Sequence, residues 1–276
     1  MFIKERYGKD MINLLHSELY KLRKSKSYKV AAALSVLFVL FTYALFGIMQ
    51  NMGTGSGNPG TTEIVQKLSG IGIMDIMKQM FANCNAIIFA TIFMCIFVIN
   101  DYSSGAIKNF VGKGYRREEV YLAKFFVTEL GAVTLYLLVA VSVLVLGIAY
   151  FGPEQLTGAF WTDFGNYLTM QVLYLTGYTA INVFVCAMAR NMASGVLISV
   201  LGIMMFSGPI LSGLDYFLGF LGVDFGISQY WIMSVISNCP VADIPSGFIV
   251  QSGIVAGGWL AAAMAGGMIL FSKRDI

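Results

Sequence analysis

The stretch Phe125–Tyr150, FFVTELGAVTLYLLVAVSVLVLGIAY, decides the fold, and Glu129 is its only charged residue. About 20 consecutive apolar residues are needed for a helix to cross the hydrocarbon core of a bilayer. The run is continuously apolar and does not alternate with polar residues, which excludes a strand of a membrane barrel. The stretch therefore predicts a transmembrane helix.

The composition of the whole chain agrees with this interpretation. Hydrophobic residues make up 57% of the 276 positions and charged residues 12%, against roughly 25% charged residues in ordinary soluble domains. These values exclude a soluble domain and a disordered chain. The predicted fold class is an all-α polytopic membrane protein with six transmembrane helices, at Val30–Met49, Phe81–Ile99, Phe125–Tyr150, Tyr167–Ala189, Ala193–Leu211 and Phe248–Phe271.

The distribution of Lys and Arg predicts the orientation. These residues cluster before the first span, between the second and third spans, and at the C-terminus. Because positively charged flanks are retained on the cytoplasmic side, both termini are predicted to be cytoplasmic. The first apolar run is long enough to span and lacks a convincing cleavage site, so it is predicted to be a retained span rather than a signal peptide.

The segment before the first span, MINLLHSELYKLRKSKSYK, has helical periodicity. One face carries Ile12, Leu15, Leu19 and Leu22. Glu18 and Lys21 fall on other faces, so the helix is predicted to lie along the inner membrane surface with its basic side chains toward lipid headgroups. It either anchors the chain or also supports a partner protein.

This segment also sets the predicted domain boundary. Residues 1–29 are predicted to form a cytoplasmic N-terminus with an interfacial elbow helix, and residues 30–276 a six-span transmembrane domain. Residues 1–10 are assigned no role.

The connection after the second span, NDYSSGAIKNFVGKGYRREEVYLAKFF, is predicted to form a compact cytoplasmic hairpin. Its Ser-Ser-Gly ends the preceding helix, a short amphipathic piece follows around Ile107, Phe110 and Val111, and Gly112 and Gly114 end that piece. The hairpin is either an ordinary positively charged loop or a docking surface. A protein is favoured over nucleic acid as the partner, because the segment is short and bound to the membrane.

Two of the predicted outer connections contain apolar segments. The first, Gln50–Met80, contains the amphipathic run EIVQKLSGIGIMDIMKQM. The last, Ser212–Gly247, is rich in aromatic residues, and its apolar pieces are too short to span. We predict that this last connection is re-entrant or interfacial, because such segments lie at the interface or enter the membrane where protein covers them.

An inventory of reactive residues predicts no catalytic, cofactor or metal site. His16 is the only histidine, which excludes the histidine-based membrane proteases and multi-histidine metal centres. Gly112-Lys113-Gly114 lacks the spacing and context of a phosphate-binding loop. The spans are nearly devoid of charge, so any energy for transport is expected from another protein. Polar residues in the spans either line a substrate path or hydrogen-bond neighbouring helices; the candidates for the path are Asn83, Asn85 and Thr91.

Taken together, these features resemble the permease subunit of a bacterial type-2 ABC exporter. The resemblance rests on the HSELYKLRKSKS elbow, on the DYSSGAIKNFVGKGYRREEVYLAKF loop and on the closing FSKRD. Asp101 and Gly105 match the family's acidic-x-x-x-Gly-Thr pattern, and Ala106 departs from it. Chains of this length and style are similar to permeases of peptide-antibiotic resistance and lantibiotic immunity systems.

The resemblance implies partners and roles. Two ATPase subunits would bind ATP and Mg, and this chain would pair with a second permease, identical or related, in the bacterial plasma membrane. The implied cargo is hydrophobic or amphiphilic and moves outward. The implied ATPase-coupling residues are Glu18, Lys21, Asp101, Ser103, Ser104, Gly105, Lys113, Arg116 and Arg117.

Two other classes of function remain open at this point. A membrane scaffold or sensor would dock a partner through the same loop without nucleotide hydrolysis. An autonomous carrier or channel would transport without ATP.

Overall fold

The structure is a computed structural model, and it describes residues 2–55, 70–82, 85–189, 191–223 and 225–273. Every regular element within these ranges is helical, which confirms the predicted all-α fold class. In chain order the helices are α1 (Phe2–Lys24), α2 (Lys26–Gly55), α3 (Ile73–Ala82), α4 (Asn85–Ser103), α5 (Ala106–Gly112), α6 (Arg117–Phe151), α7 (Gly158–Met188), α8 (Met192–Leu197), α9 (Ser207–Phe220), α10 (Ile232–Asn238) and α11 (Ser246–Lys273).

Five of the described helices are long and apolar enough to cross a membrane, namely α2, α4, α6, α7 and α11. The predicted fifth span is instead a bent pair, Met192–Ile203 and Gly208–Phe220, with 42° between its halves. The backbone between α8 and α9, Ile198–Phe206, is a π-helix, and Pro209 lacks the N–H that a continuous helix needs. Both features bend helices. The described residues therefore contain six spans only if the two halves of this bent pair are counted as one span.

The start of the second span differs from the prediction. Phe81 lies in α3, which ends at Ala82, and the spanning helix begins at Asn85. α3 is the last part of the amphipathic run predicted in the first outer connection, and its residues Ile73, Ile76 and Met77 are buried. The apolar face of α3 thus extends the core beyond the spans.

The core forms around α4, which contacts α2, α6, α7 and α8. Phe93, Met94 and Val98 of α4 are fully buried. A second close contact joins α7 to α11, where a Cβ built on Gly177 would lie 2.9 Å from the Ala256 carbonyl oxygen. Small residues permit such approach between helices that lie in lipid, where close packing replaces the hydrophobic effect.

The connection before α11 packs against the spanning helices. Ile232 and Ile236 of α10 are buried, and Gln171 Nε2 of α7 donates to the Ile236 carbonyl at 3.2 Å. Ser237 Oγ donates to the Ala82 carbonyl at 2.9 Å. These contacts place α10 beside α7 and the end of α3, and a re-entrant or interfacial position of this connection stays a prediction.

Candidate functional site

Four charged side chains meet where α1, α4 and α6 come together. Lys124 Nζ donates to Glu18 Oε2 at 2.6 Å and also to Asp101 Oδ2. Lys21 Nζ donates to Glu18 Oε1 at 2.7 Å and to Asp101 Oδ2 at 3.0 Å. We call Glu18, Lys21, Asp101 and Lys124 the ion-pair cluster. Its two positive and two negative charges balance.

Three members of the ion-pair cluster are shielded from solvent, whereas the Lys21 side chain is 31% exposed. Glu18 is 3% exposed, Lys124 5% and Asp101 7%. The free space among these side chains and their apolar neighbours is only about 10 Å³, close to the least that holds one water molecule. Charges in such surroundings are tolerated only when they are paired, so each member depends on the others.

Two aromatic rings complete the surroundings of the lysines. Lys124 Nζ lies 4.2 Å from the centre of the Phe97 ring, and Lys21 Nζ lies 4.7 Å from that of Phe110. Ammonium groups are attracted to ring faces at these distances. Because Phe110 belongs to α5, the ion-pair cluster extends from the elbow helix into the loop after α4.

The protonation of Lys21 depends on the same neighbours. Burial of the ammonium group works to lower its pKa, but the hydrogen bonds and negative charges of Glu18 and Asp101 outweigh burial and raise the pKa above its usual 10.5. The charged form of Lys21 is therefore favoured by folding.

The elbow helix packs through a face that overlaps only partly with the predicted one, since Leu15 and Leu22 of that face pack on the core. Leu14, Glu18 and Leu22 are buried in line along α1, whereas Ile12 is 56% exposed and Leu19 37% exposed. Glu18, which the periodicity placed off the apolar face, is buried in the structure. Its burial is possible because two ammonium groups neutralise and hydrogen-bond its carboxylate.

The loop after α4 has the predicted local structure. α4 ends at Ser103 and α5 ends at Gly112, while Gly105 has φ +71° and Gly114 φ +91°. Glycine suits both turns, because side chains disfavour positive φ. α5 is thus a short helix between two tight turns.

The predicted coupling residues divide into an exposed set, a buried set and a half-buried set, the last consisting of Lys21, Gly105 and Arg117. Ile107 anchors α5 in the core with 5% exposure. Arg117 Nη1 donates to the Ser272 carbonyl at 3.0 Å and so ties the start of α6 to the end of α11. Glu18 and Asp101 are buried in the ion-pair cluster, whereas the exposed set consists of Ser103, Ser104, Lys113 and Arg116.

Lys124 was not among the predicted site residues. It was counted only as a positively charged flank, although Leu122, Ala123, Phe125 and Phe126 surround it in the sequence. A lysine inside an apolar helical run signals a buried partner. The identity of that partner is not visible locally, because Glu18 lies 106 positions away.

Two of the three candidate substrate-path residues, Thr91 and Asn85, have described hydrogen bonds. Thr91 is fully buried, donates to the Ile87 carbonyl at 2.7 Å, and lies 2.7 Å from the Tyr178 hydroxyl of α7. Asn85 Nδ2 donates to the Gln79 carbonyl at 3.2 Å. Asn83 lies outside the described residues. A role for these three residues in a substrate path stays a prediction.

The described parts of the chain contain no group of three or more His, Cys, Asp or Glu residues that could hold a metal ion. The ion-pair cluster has only two carboxylates, and both accept from lysines. We therefore interpret the ion-pair cluster as a structural junction between α1, α4 and α6.

The comparison with known families bears on this junction. The sequence model described as "ABC-2 family transporter protein" matches residues 14–206, which is more than half of the chain. The chain belongs to this family. The match begins in α1 and includes the whole ion-pair cluster, α5, and the spans as far as the bend before α9. No protein of curated function matches the chain.

Family membership settles the broad class of function. This ABC-2 protein is a multi-pass membrane protein and the permease subunit of an ABC transporter, a transport subunit that works with an ABC ATPase. The predicted resemblance to an ABC permease is confirmed. The narrower resemblance to peptide-antibiotic resistance and lantibiotic immunity permeases stays a proposal.

Proposed function

We propose that this ABC-2 permease is the membrane-spanning half of an ATP-driven exporter that moves hydrophobic or amphiphilic cargo outward, peptide antibiotics being one candidate class. Two ATPase subunits bind ATP and Mg and dock on the cytoplasmic side, where both termini and α5 lie. A second permease, identical or related, completes the transporter in the bacterial plasma membrane.

One observation carries this proposal: the ion-pair cluster lies directly behind the exposed surface of α5 and its flanking turns. Ser104 and Lys113 are exposed at the two turns, while Phe110 on the same short helix contacts Lys21 at 4.7 Å. A partner that presses on this surface therefore acts on a packed junction. Interiors transmit such displacements because they are close-packed.

The junction distributes a displacement over three helices. Asp101 closes α4, Lys124 lies in the second turn of α6, and Glu18 belongs to α1. Because a broken pair would leave a buried charge unpaired, the three helix ends move together. ATP-driven movement of the partner would then reorient α4 and α6 relative to the rest of the bundle.

Photo-crosslinking in the native host tests the docking surface. A photoreactive phenylalanine analogue replaces Ser104 or Lys113, and Thr162, exposed near the start of α7 at the other end of the bundle, serves as the control. We expect a Walker-motif ATPase to crosslink at Ser104 and Lys113 and not at Thr162. Capture of the ATPase equally at all three positions would refute docking at α5.

Assays of ATP hydrolysis and transport by the purified complex distinguish an ATP-driven exporter from a scaffold or sensor and from an autonomous carrier. We expect ATP hydrolysis that falls at least several-fold in Lys113→Ala/Arg116→Ala, because these exposed cations lie on the docking surface and not in the core. A captured partner that does not hydrolyse ATP would favour the scaffold or sensor. Transport by the permease alone in vesicles without ATP would favour an autonomous carrier.

A further inference from the structure

Glu129 is the only charged residue of the apolar stretch Phe125–Tyr150, and it is not part of the ion-pair cluster. Its side chain lies at the contact between α6 and α7, where Thr176 Oγ1 is 2.9 Å from Glu129 Oε1. At the rise of an α-helix, Thr176 is roughly 14 Å from Tyr167 and roughly 20 Å from Ala189, the predicted ends of its span. The Glu129 carboxyl is therefore inside the membrane, where ionisable residues are rare and usually functional.

The Glu129 carboxyl has too few partners for a charged group. Its Oε2 atom is buried and has no hydrogen-bond partner among the described residues. Of the described helices that pack on α6, only α7 contributes polar groups that influence this carboxyl, namely the hydroxyls of Thr176 and Thr179, and none contributes a charged group. A buried carboxylate requires a cation or several donors. Ionised Glu129 would therefore be an unpaired charge in apolar surroundings.

The hydrogens at this contact distinguish the two forms of Glu129. Thr176 Oγ1 lies 2.9 Å from Glu129 Oε1 and 3.1 Å from the Val172 carbonyl oxygen, but a threonine hydroxyl has a single hydrogen to donate. If Glu129 is ionised, both neighbours are acceptors and one of the two contacts lacks a hydrogen. If Glu129 is protonated, the acid donates to Thr176 Oγ1, and Thr176 donates to the Val172 carbonyl. Each contact then contains one hydrogen.

Thr179 suits the neutral acid in the same way. It lies one turn from Thr176 along α7, is fully buried, and its Oγ1 atom has no hydrogen-bond partner among the described residues. Its hydroxyl can donate to the remaining carbonyl oxygen of a protonated Glu129. A carboxylate has roughly four acceptor positions, most of which two hydroxyls would leave empty. The surroundings of Glu129 thus match a carboxylic acid and not a carboxylate.

We propose that Glu129 is an intramembrane proton-binding site, whose carboxyl holds a proton at neutral pH while α6 packs on α7 and releases it when the helices separate and water enters. One carboxyl and two hydroxyls do not suit a divalent cation, since Mg²⁺ takes about six ligands and Ca²⁺ roughly six to eight. The bound proton concerns the permease alone. Its release rests on the proposed function, because movement of the ion-pair cluster reaches Glu129 through α6, which also carries Lys124.

A fluorescent, lipid-soluble carbodiimide tests for the proton in the purified permease without any ATPase. The acid proton moves to a carbodiimide nitrogen, the carboxyl oxygen bonds to the central carbon, and the adduct rearranges to a stable N-acylurea. At neutral pH we expect labelling of α6, located by mass spectrometry, that is absent in Glu129→Gln. Glu118→Gln is the matched control, because it removes an exposed carboxylate of the same helix and should be labelled like wild type.

The dependence of labelling on pH and on salt separates a proton site from the alternatives. Labelling at neutral pH should be the same in sodium, potassium and choline buffers. Labelling that occurs only in acidic buffer, where exposed carboxylates are also protonated, would overturn the proposal. Labelling that sodium or potassium suppresses and choline does not would instead assign the carboxyl to a monovalent cation.

Infrared spectroscopy detects the proton without relying on access of a reagent. A carboxylic acid has a C=O stretching band that is separate from the bands of a carboxylate. The difference between wild type and Glu129→Gln at neutral pH should contain the acid band, and carboxylate bands in its place would contradict a bound proton. If Glu129→Gln does not fold, Thr176→Val is the second variant. It removes the hydrogen-bond partner and should shift the acid band to higher frequency.

The release of the proton is tested in the complete complex with its ATPase. Trapping the complex with ATP and vanadate should lower carbodiimide labelling of Glu129 at least several-fold relative to the nucleotide-free complex. Equal labelling in both states, with ATP hydrolysis intact, would overturn the release of the proton while the docking of the ATPase at α5 still stands. Loss of hydrolysis and of crosslinking at α5, with labelling of the permease alone retained, would overturn the proposed function and not the proton site.

Discussion

Lys124→Met tests the ion-pair cluster with a side chain of similar length and no charge. The change leaves Glu18 and Asp101 sharing the single ammonium group of Lys21, so both buried carboxylates lose their closest partner. Removal of one partner from a buried ion pair costs about 3–5 kcal/mol of the free energy of unfolding. At roughly 2–4 °C per kcal/mol for a chain of this size, the unfolding midpoint should fall by about 6–20 °C.

A thiol-reactive fluorescent dye measures this midpoint in detergent. Cys95, Cys186 and Cys239 are buried and free, so they react as the chain unfolds. Burial raises the pKa of the Cys239 thiol to about 11, which keeps it unreactive in the folded protein. Cys84 lies outside the described residues and is replaced by alanine in all variants.

The matched control is Lys113→Met, which removes the same charge from an exposed position and should shift the midpoint by about 2 °C or less. The double variant Glu18→Gln/Lys124→Met restores neutrality and leaves Lys21 paired with Asp101. It should be about 1–3 kcal/mol more stable than the sum of the single changes predicts. If the midpoint of Lys124→Met is close to that of Lys113→Met, or if the losses of the single variants are strictly additive, the ion-pair cluster does not stabilise the protein as a unit.

Two further predictions use the same assay. Gly177→Ala should destabilise the protein by about 1–3 kcal/mol, because the new methyl group would lie 2.9 Å from the Ala256 carbonyl oxygen and force α7 and α11 apart. The stabilising contribution of charged Lys21 should be complete below pH about 10.5 and be lost as the pH rises through the higher folded pKa. Wild type should therefore lose more stability than Lys21→Met in strongly alkaline buffer.

Each of these two predictions has a matched control variant. Gly165→Ala alters the same helix where a Cβ meets nothing within 4 Å, and equal midpoints for Gly165→Ala and Gly177→Ala would contradict the packing argument. Lys24→Met removes an exposed cation of α1. If Lys24→Met and Lys21→Met show the same dependence on alkaline pH, the raised pKa does not contribute to stability.

Periodicity identified the elements of the loop after α4 correctly. Ser-Ser-Gly ended one helix, Gly112 and Gly114 ended the next, and Ile107 faced the core, because all of these depend on residues a few positions apart. The same reasoning was only partly right for α1, where Leu15 and Leu22 pack on the core but Ile12 and Leu19 are exposed. Helical spacing distinguishes an apolar face from a polar one, but it does not reveal that Glu18 is buried against a lysine on another helix.

The sequence by itself determined that the chain is a helical membrane protein, since only the bilayer accommodates so many continuous apolar runs. It also determined where the short helix α5 begins and ends. The tertiary structure alone decided that Lys124 joins Glu18 to Asp101, and that Trp231 meets Trp259 beneath the bent span. These pairs are far apart in the chain, and their charges and rings meet only because helix packing fixes the relative positions of distant side chains.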